Sequence, residues 1–119
     1  MDIESLRMYC LSFSHVTESL PFGPDTLVFK VGGKIFLLAN LDDYTGFNVK
    51  ANPDDALQQR EAYDGIQPGY HMNKKHWNTI SIHSDVPISK MKELIKNSYD
   101  LVYQGLSKKI KSSLTDDVR

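Results

Sequence analysis

The segment Pro68–Asn78, which reads PGYHMNKKHWN, holds the side chains of this sequence best suited to binding chemistry. It contains the single tryptophan, two of the four histidines and two adjacent lysines. Aromatic rings can stack on bases, and lysine and asparagine side chains can reach phosphate oxygens or base edges. The segment therefore predicts an aromatic, polar contact element. The alternative is structural, because a tryptophan beside a strand is often buried and loop asparagines often bond to their own backbone.

The histidines do not form a recognisable metal site. His71 and His76 are five residues apart, and His83 lies further along the chain. Metal-binding histidine pairs on one helix usually lie four residues apart, and zinc sites add cysteine or carboxylate at characteristic spacings. Cys10 is remote from all three histidines. We therefore interpret them as structural or surface residues and expect neither a metal nor a cofactor.

Nucleophilic catalysis also finds no support in the sequence. A Gly-x-Ser-x-Gly elbow is absent, and Cys10 lies on the apolar stripe of a predicted helix with Leu6 and Phe13. The carboxylate pairs at 42–43 and 54–55 fit a turn and a helix start, since adjacent acids seldom converge on one substrate. We therefore predict a protein that is not an enzyme.

The composition is that of one ordinary globular domain. The chain has 119 residues, of which 40% are hydrophobic and 24% charged, and its formal net charge is −1. Its opening residues, Met1–Glu4, lack the basic and apolar regions of a signal peptide, and a single cysteine fits a reducing compartment. No apolar run approaches the length that spans a bilayer. We expect a cytoplasmic protein that does not enter a membrane.

The charges are distributed unevenly along the chain. Residues 1–65 carry five Lys or Arg and ten Asp or Glu, whereas residues 66–119 carry nine and five. A locally basic half can mark a surface that contacts phosphates. The alternative is a pair of lysine-rich helix faces that are simply solvated.

Local signals predict an antiparallel sheet with helices packed on it. Gly32-Gly33 separates two apolar runs, which is typical of a two-residue hairpin turn and not of a phosphate loop. The second run is apolar on both faces, which predicts a central strand covered on both sides. Asn52-Pro53 has the residues of a helix start. The predicted elements are a helix over 2–13, strands over 27–31, 34–39 and 46–50, a helix from 53 to about 63, an extended piece around 70, a strand over 78–83 and a long helix that Pro87 opens and that reaches about 111.

Several separated motifs carry a resemblance to a known family. They are PFG at 21–23, VFKVGGKIF at 28–36, GYHMNK at 69–74, HWN at 76–78, Val86-Pro87 and Ser98-Tyr99. In this order they resemble the MmcQ/YjbR family of small bacterial domains. The resemblance implies an α+β fold similar to the type III secretion chaperone-like arrangement and a cytoplasmic bacterial setting. It also implies DNA binding, a label that rests on a proposed double-wing likeness.

We therefore predict a single α+β domain over residues 1–112, with the order α-β-β-β-α-β-β-α, and a flexible tail over 113–119. The expected function is DNA binding without catalysis; the alternative is a protein-interaction or chaperone-like module with a protein partner. The predicted nucleic-acid contacts are Tyr70, His71, Asn73, Lys74, Lys75, His76, Trp77, Lys108, Lys109 and Lys111. We further predict that Trp77 is substantially buried between the sheet and the C-terminal helix, near residues 99–102.

Overall fold

The computed structural model describes residues 1–69 and 72–116. The helices are α1 (Ile3–Leu11), α2 (Pro53–Ala62), α3 (Ile88–Gln104) and α4 (Lys108–Asp116). The strands are β1 (Val16–Ser19), β2 (Thr26–Val31), β3 (Lys34–Asn40), β4 (Gly46–Lys50), β5 (Ile66–Pro68) and β6 (Trp77–Ser81).

The strands form one antiparallel sheet in the order β1-β2-β3-β4-β6-β5, which confirms the α+β prediction. Two differences concern its edges. The edge strand β1 is absent from the predicted order, because its four residues are mostly polar and give no strong strand pattern. The extended piece predicted around Tyr70 lies outside the described residues, and β5 forms the other edge.

The β2–β3 hairpin forms at the predicted position. Gly32 and Gly33 have φ of 59° and 80°, which glycine adopts without steric cost. The pairing then shifts, because Phe29 lies opposite Leu37 while Lys30 lies opposite Ile35. Phe36 is therefore the extra residue of a β-bulge.

The bulge explains why the prediction for β3 was wrong. Phe36 and Leu37 are consecutive, yet both are fully buried in the core beneath the helices. Ile35 and Leu38 are half-buried and line a pocket on the opposite face. The apolar run on both sides of β3 thus reflects a change in alternation at the bulge, and β3 is central but has helices on one face only.

Helices α1, α2 and α3 contact the same face of the sheet, which we call the helix face. The core there joins Leu6 and Cys10 of α1 and Met91 and Ile95 of α3 to the sheet. The sheet contributes Leu27, Phe29, Val31, Phe36, Leu37, Ala39, Phe47, Val49, Ile66 and Ile80. We call the opposite side the open face.

The C-terminal helix is interrupted, contrary to the continuous helix predicted from Pro87. Helix α3 ends at Gln104, and Ser107 accepts a hydrogen bond from the Ile110 N–H at the start of α4. The break lets α4 turn onto the hairpin, where a Cβ on Gly32 would lie 2.6 Å from Leu106 Cδ1. Residues 113–116 belong to α4, while residues 117–119 lie outside the description, so the flexible tail stays a prediction.

Candidate binding surface on the open face of the sheet

Trp77 takes an open-face position on β6 and is only partly buried, so the part of the prediction that placed it in the core between the sheet and the C-terminal helix is wrong. It is half-buried and pairs with Lys50 of β4, whereas Asn78 and Ile80 of the same strand are buried. Because successive strand side chains point to opposite faces, Asn78 takes the position on the helix face and Trp77 projects away from it. The predicted proximity to the end of α3 is confirmed, since Trp77 shares a groove with Leu101 and Val102.

Asn78 ties α2 to the sheet. Its amide Nδ2 donates to the Ala56 carbonyl at 3.2 Å and to Gln59 Oε1 at 3.0 Å. Its Oδ1 accepts a hydrogen bond from Arg60 Nε at 2.7 Å. Since Asn78 is fully buried, these bonds offset the cost of removing its amide from water. Asn78 is thus structural, although its partners lie on α2 and not in its own loop.

The turn before β6 is held by backbone hydrogen bonds. Asn73 Oδ1 accepts from the Lys75 N–H at 3.0 Å, and the Asn73 carbonyl accepts from the N–H groups of His76 and Trp77. The His76 carbonyl accepts from the Ala51 N–H at 2.8 Å, which joins the turn to the end of β4. Asn73 therefore shapes the turn, as the structural alternative supposed.

Arg60 reaches this turn from α2 and leaves its lysines exposed. Its guanidinium donates to the carbonyl of Lys74 while its Nε bonds to Asn78. Lys74 and Lys75 are exposed. Tyr70 and His71, also predicted as contacts, lie outside the described residues. The turn thus presents two lysine side chains to solvent immediately before Trp77.

Trp77 lines a groove of about 490 Å³ together with lysines that the sequence did not single out. Its described lining consists of Gly33, Lys34, Ile35, Lys50, Trp77, Leu101, Val102 and Gly105. We call it the basic groove, because two lysines and no carboxylate line it. The sequence pattern did not indicate Lys34 and Lys50, because both belong to the acidic half of the chain. Strand pairing is needed to bring them beside Trp77.

All three lysines of α3 interact with a carboxylate or an aromatic ring. Lys90 pairs with Glu93, and Lys96 pairs with Asp100 at 2.6 Å. The Lys92 ammonium lies 5.5 Å from the centroid of the Tyr9 ring, and that of Lys111, on α4, lies 5.7 Å from the Tyr103 ring. The C-terminal excess of positive charge is therefore partly neutralised within the fold.

The lysines around the basic groove are not neutralised in this way. Over residues 1–69 and 72–116, no ion pair involves Lys34, Lys50, Lys74, Lys75, Lys108 or Lys109. Lys75 is two residues from Trp77, and Lys108 is three residues from Gly105, so both predicted lysine pairs are close along the chain to residues that line the groove. The fold itself brings Lys34 and Lys50, from two separate chain segments, into the groove.

A second concavity lies on the open face and shares Ile35 with the basic groove, whose other wall is the end of α3. We call it the apolar pocket; it has a volume of about 560 Å³. Its described lining consists of Phe22, Thr26, Ile35, Leu38, Ala39, Asn40, Asp43, Thr45, Gly46, Asn48, Met72, Thr79 and Ser81. Across its floor, Thr79 Oγ1 donates to Asn48 Oδ1 at 2.5 Å. Ile35 borders both the pocket and the groove.

The thiol of Cys10 is placed for packing. The side chain is fully buried in the core, and burial raises the pKa of the thiol to about 12. A thiol with such a pKa is protonated at neutral pH and is a poor nucleophile.

Among the described residues, no three His, Cys, Asp or Glu side chains cluster as metal ligands would. No helix in that part of the chain has the length and apolar character needed to cross a bilayer.

The architecture is that of a small α+β domain with helices on one face of an antiparallel sheet. Residues 11–101 match the YjbR family model, and the chain belongs to the YjbR family. It is 38% identical over 107 residues to the uncharacterized protein YbdF of Escherichia coli O157:H7, covering 89% of this chain and 88% of that protein. It is 25% identical over 100 residues to the uncharacterized protein YjbR of Escherichia coli K12, covering 83% and 85%.

Solved structures share the fold. The crystal structure of Deinococcus radiodurans protein DR2400, a DUF419 domain, has a TM-score of 0.88 and 34% identity, covering 95% of this chain and 87% of that one. A crystal structure of a Pseudomonas syringae protein has a TM-score of 0.73 and 25% identity, covering 86% and 99%. The family resemblance is therefore confirmed. The names of these relatives give no activity.

Proposed function

We propose that this chain is a non-enzymatic, cytoplasmic DNA-binding domain whose contact surface is the basic groove. The observation that carries the proposal is the position of Trp77, half-buried on the open face opposite Lys50 and in one groove with Lys34. A tryptophan serving only stability would be expected inside the core, where its area contributes most. Trp77 is instead partly exposed in a groove that it shares with Lys34 and Lys50, where a ligand can contact its ring.

The chemistry of the groove suits a polyanion that carries aromatic rings. Lysine ammonium groups neutralise phosphates and release their condensed counterions, and an indole face packs against a backbone sugar or stacks on an unpaired base. Lys34 and Lys50 form no ion pair within the described residues, so a phosphate that binds them displaces no carboxylate partner. We expect the exposed lysines Lys74, Lys75, Lys108 and Lys109 to extend the positive surface.

The overall charge of −1 makes the expected contact local. A strongly basic protein binds DNA over much of its surface, whereas here only the phosphates near the groove are attracted. We therefore expect few phosphate contacts and a modest dependence of affinity on salt. We expect the predicted contacts at His76 and Lys111 to lie at the margin of the contact surface. Lys111 already donates a hydrogen bond to the Gln104 carbonyl at 3.2 Å.

Fluorescence anisotropy with labelled duplex DNA across a salt series tests the proposal. Affinity should fall as salt rises from about 50 to 200 mM, with a slope set by the number of phosphates contacted. The double variant Lys34→Gln/Lys50→Gln should make that slope shallower by about two. The matched control is Lys90→Gln/Lys92→Gln on α3, which should leave the slope unchanged. Absence of binding at low salt would refute the proposal.

A protein-interaction module is the second candidate, and exposed apolar side chains favour it. Phe22 is 63% exposed at the rim of the apolar pocket, and Leu20 is 47% exposed. Light scattering after size-exclusion chromatography, followed by capture from nuclease-treated lysate in high salt, separates the two functions. A protein retained there and lost in Phe22→Ser would favour this candidate.

A further inference from the structure

We propose that the protein binds an unpaired nucleotide, with its base in the apolar pocket of the open face and its phosphate at the adjoining basic groove. This inference rests on the proposed nucleic-acid function and specifies the form of nucleic acid, which is single-stranded. It is carried by two adjoining concavities with opposite chemical character.

Charge is segregated between the two concavities. The described lining of the apolar pocket includes no lysine or arginine and one carboxylate, that of Asp43. The described lining of the basic groove includes Lys34 and Lys50 and no carboxylate. A phosphate is therefore disfavoured in the pocket and favoured in the groove, whereas an uncharged ring loses nothing by leaving the lysines.

The spacing of the two sites suits one nucleotide. Asn48 lines the pocket, Lys50 lines the groove, and both lie on the open face of β4. Residues two apart on one strand are separated by roughly 6.8 Å. A base and its phosphate are joined through a single ribose, which spans a distance of the same order. Ile35 borders both concavities, so the path between them is continuous.

The pocket has the apolar surface and the hydrogen-bond donor that a base requires. Ile35 and Leu38 are half-buried on its floor, and Phe22 and Met72 are at its border. Because Asn48 Oδ1 accepts from the Thr79 hydroxyl, the amide Nδ2 is left as the donor. Within the described residues, this Nδ2 donates no hydrogen bond. A base with a hydrogen-bond acceptor on its edge can accept a hydrogen bond from this Nδ2.

A base in a duplex does not meet these requirements. Its edge is paired and its faces are stacked, and extruding it costs a few kcal/mol. An unpaired base enters without that cost. The two concavities together therefore select single strands, and the basic groove alone contacts the phosphates of a duplex.

The experiment compares three labelled oligomers of about twelve nucleotides: oligothymidylate, its duplex with oligoadenylate, and an abasic single strand of equal charge. We expect oligothymidylate to bind about tenfold more tightly than either of the others, since a stacked base typically contributes that much or more. Leu38→Gln should abolish the preference and leave duplex and abasic binding unchanged. The control Leu57→Gln, at an exposed leucine of α2, should preserve it. Thermal unfolding verifies that each variant is folded.

A second variant guards against misfolding at Leu38. Asn48→Ala removes the donor and should reduce oligothymidylate binding several-fold, with abasic binding unchanged. If oligothymidylate binds no better than the abasic strand, the inference is wrong. If duplex binding nevertheless weakens in Lys34→Gln/Lys50→Gln, DNA binding at the basic groove is supported and only the preference for single strands is wrong. If none of the three oligomers binds at low salt, both are wrong.

Discussion

Replacing Ser98 with alanine should destabilise the protein far more than the loss of one oxygen suggests. The hydroxyl is fully buried, donates to the Phe36 carbonyl at 2.6 Å and accepts from the Lys50 N–H at 2.8 Å. It therefore joins the bulge of β3 to the end of β4. This bridge holds the backbone that presents Ile35 and Lys50 on the open face.

The magnitude follows from the two backbone groups that alanine would leave unpaired. Each buried, unsatisfied group costs about 1–3 kcal/mol. Allowing for partial relaxation, we expect Ser98→Ala to lower the free energy of unfolding by about 3 kcal/mol, a large part of the roughly 5–15 kcal/mol typical of a domain. In urea the midpoint should fall by about 1–3 M with an unchanged slope, since the slope follows the surface exposed on unfolding.

The matched control is Ser113→Ala on the exposed surface of α4. It should change the free energy of unfolding by no more than about 0.5 kcal/mol, as is usual for surface substitutions. A midpoint for Ser98→Ala equal to that of the control would refute the reasoning, because the two backbone groups would then need no bridge. A changed slope would instead indicate an altered native or denatured state.

Three further predictions concern the core, the hairpin and the groove. Burial raises the pKa of the Cys10 thiol from 9.0 to about 12, so on raising the pH the thiol ionises in the unfolded state before it does so in the folded state. The free energy of unfolding should therefore fall by about 1.4 kcal/mol per pH unit above pH 9. Urea titrations at pH 8 to 10 measure this dependence, and Cys10→Ala should remove it. Gly32→Ala should lower the melting temperature more than Gly33→Ala, because both have positive φ but only the new Cβ at Gly32 meets Leu106; equal melting temperatures would contradict this packing. Trp77→Ala should lower the free energy of unfolding by less than the roughly 3–5 kcal/mol typical of a buried tryptophan, and it should weaken DNA binding. Urea unfolding and fluorescence anisotropy measure the two effects. A loss of stability as large as that of a buried tryptophan would indicate that Trp77 is structural.

Features set by neighbouring residues could be predicted from the sequence. The hairpin at Gly32-Gly33 follows from the need for positive φ, and the helix at Pro53 follows from a ring that presets φ at the first helical position. The burial of Cys10 follows from helical periodicity. Each of these depends on the chemistry of a few consecutive residues, so the remainder of the fold is not needed to infer it.

The helix break at Gly105 has only a partial local signal. Glycine favours a helix end and Ser107 favours a helix start. Nevertheless, the apolar spacing that continues through Leu106 and Ile110 predicts one uninterrupted helix. The two segments separate where Leu106 and Ile110 pack against the hairpin at Gly32. That contact joins distant parts of the chain, and no local pattern contains it.

The open face was determined by the tertiary structure alone. The side on which Trp77 lies depends on the register of β6 against β4, and a shift of one residue would exchange it with Asn78. The two-sided apolar pattern of β3 conceals the bulge at Phe36, which sends Ile35 outward. The sequence by itself determined the family, the α+β class and the local turns. The juxtaposition of Lys34, Lys50 and Trp77 required strand pairing between distant segments, because register and face arise from contacts that a linear pattern does not encode.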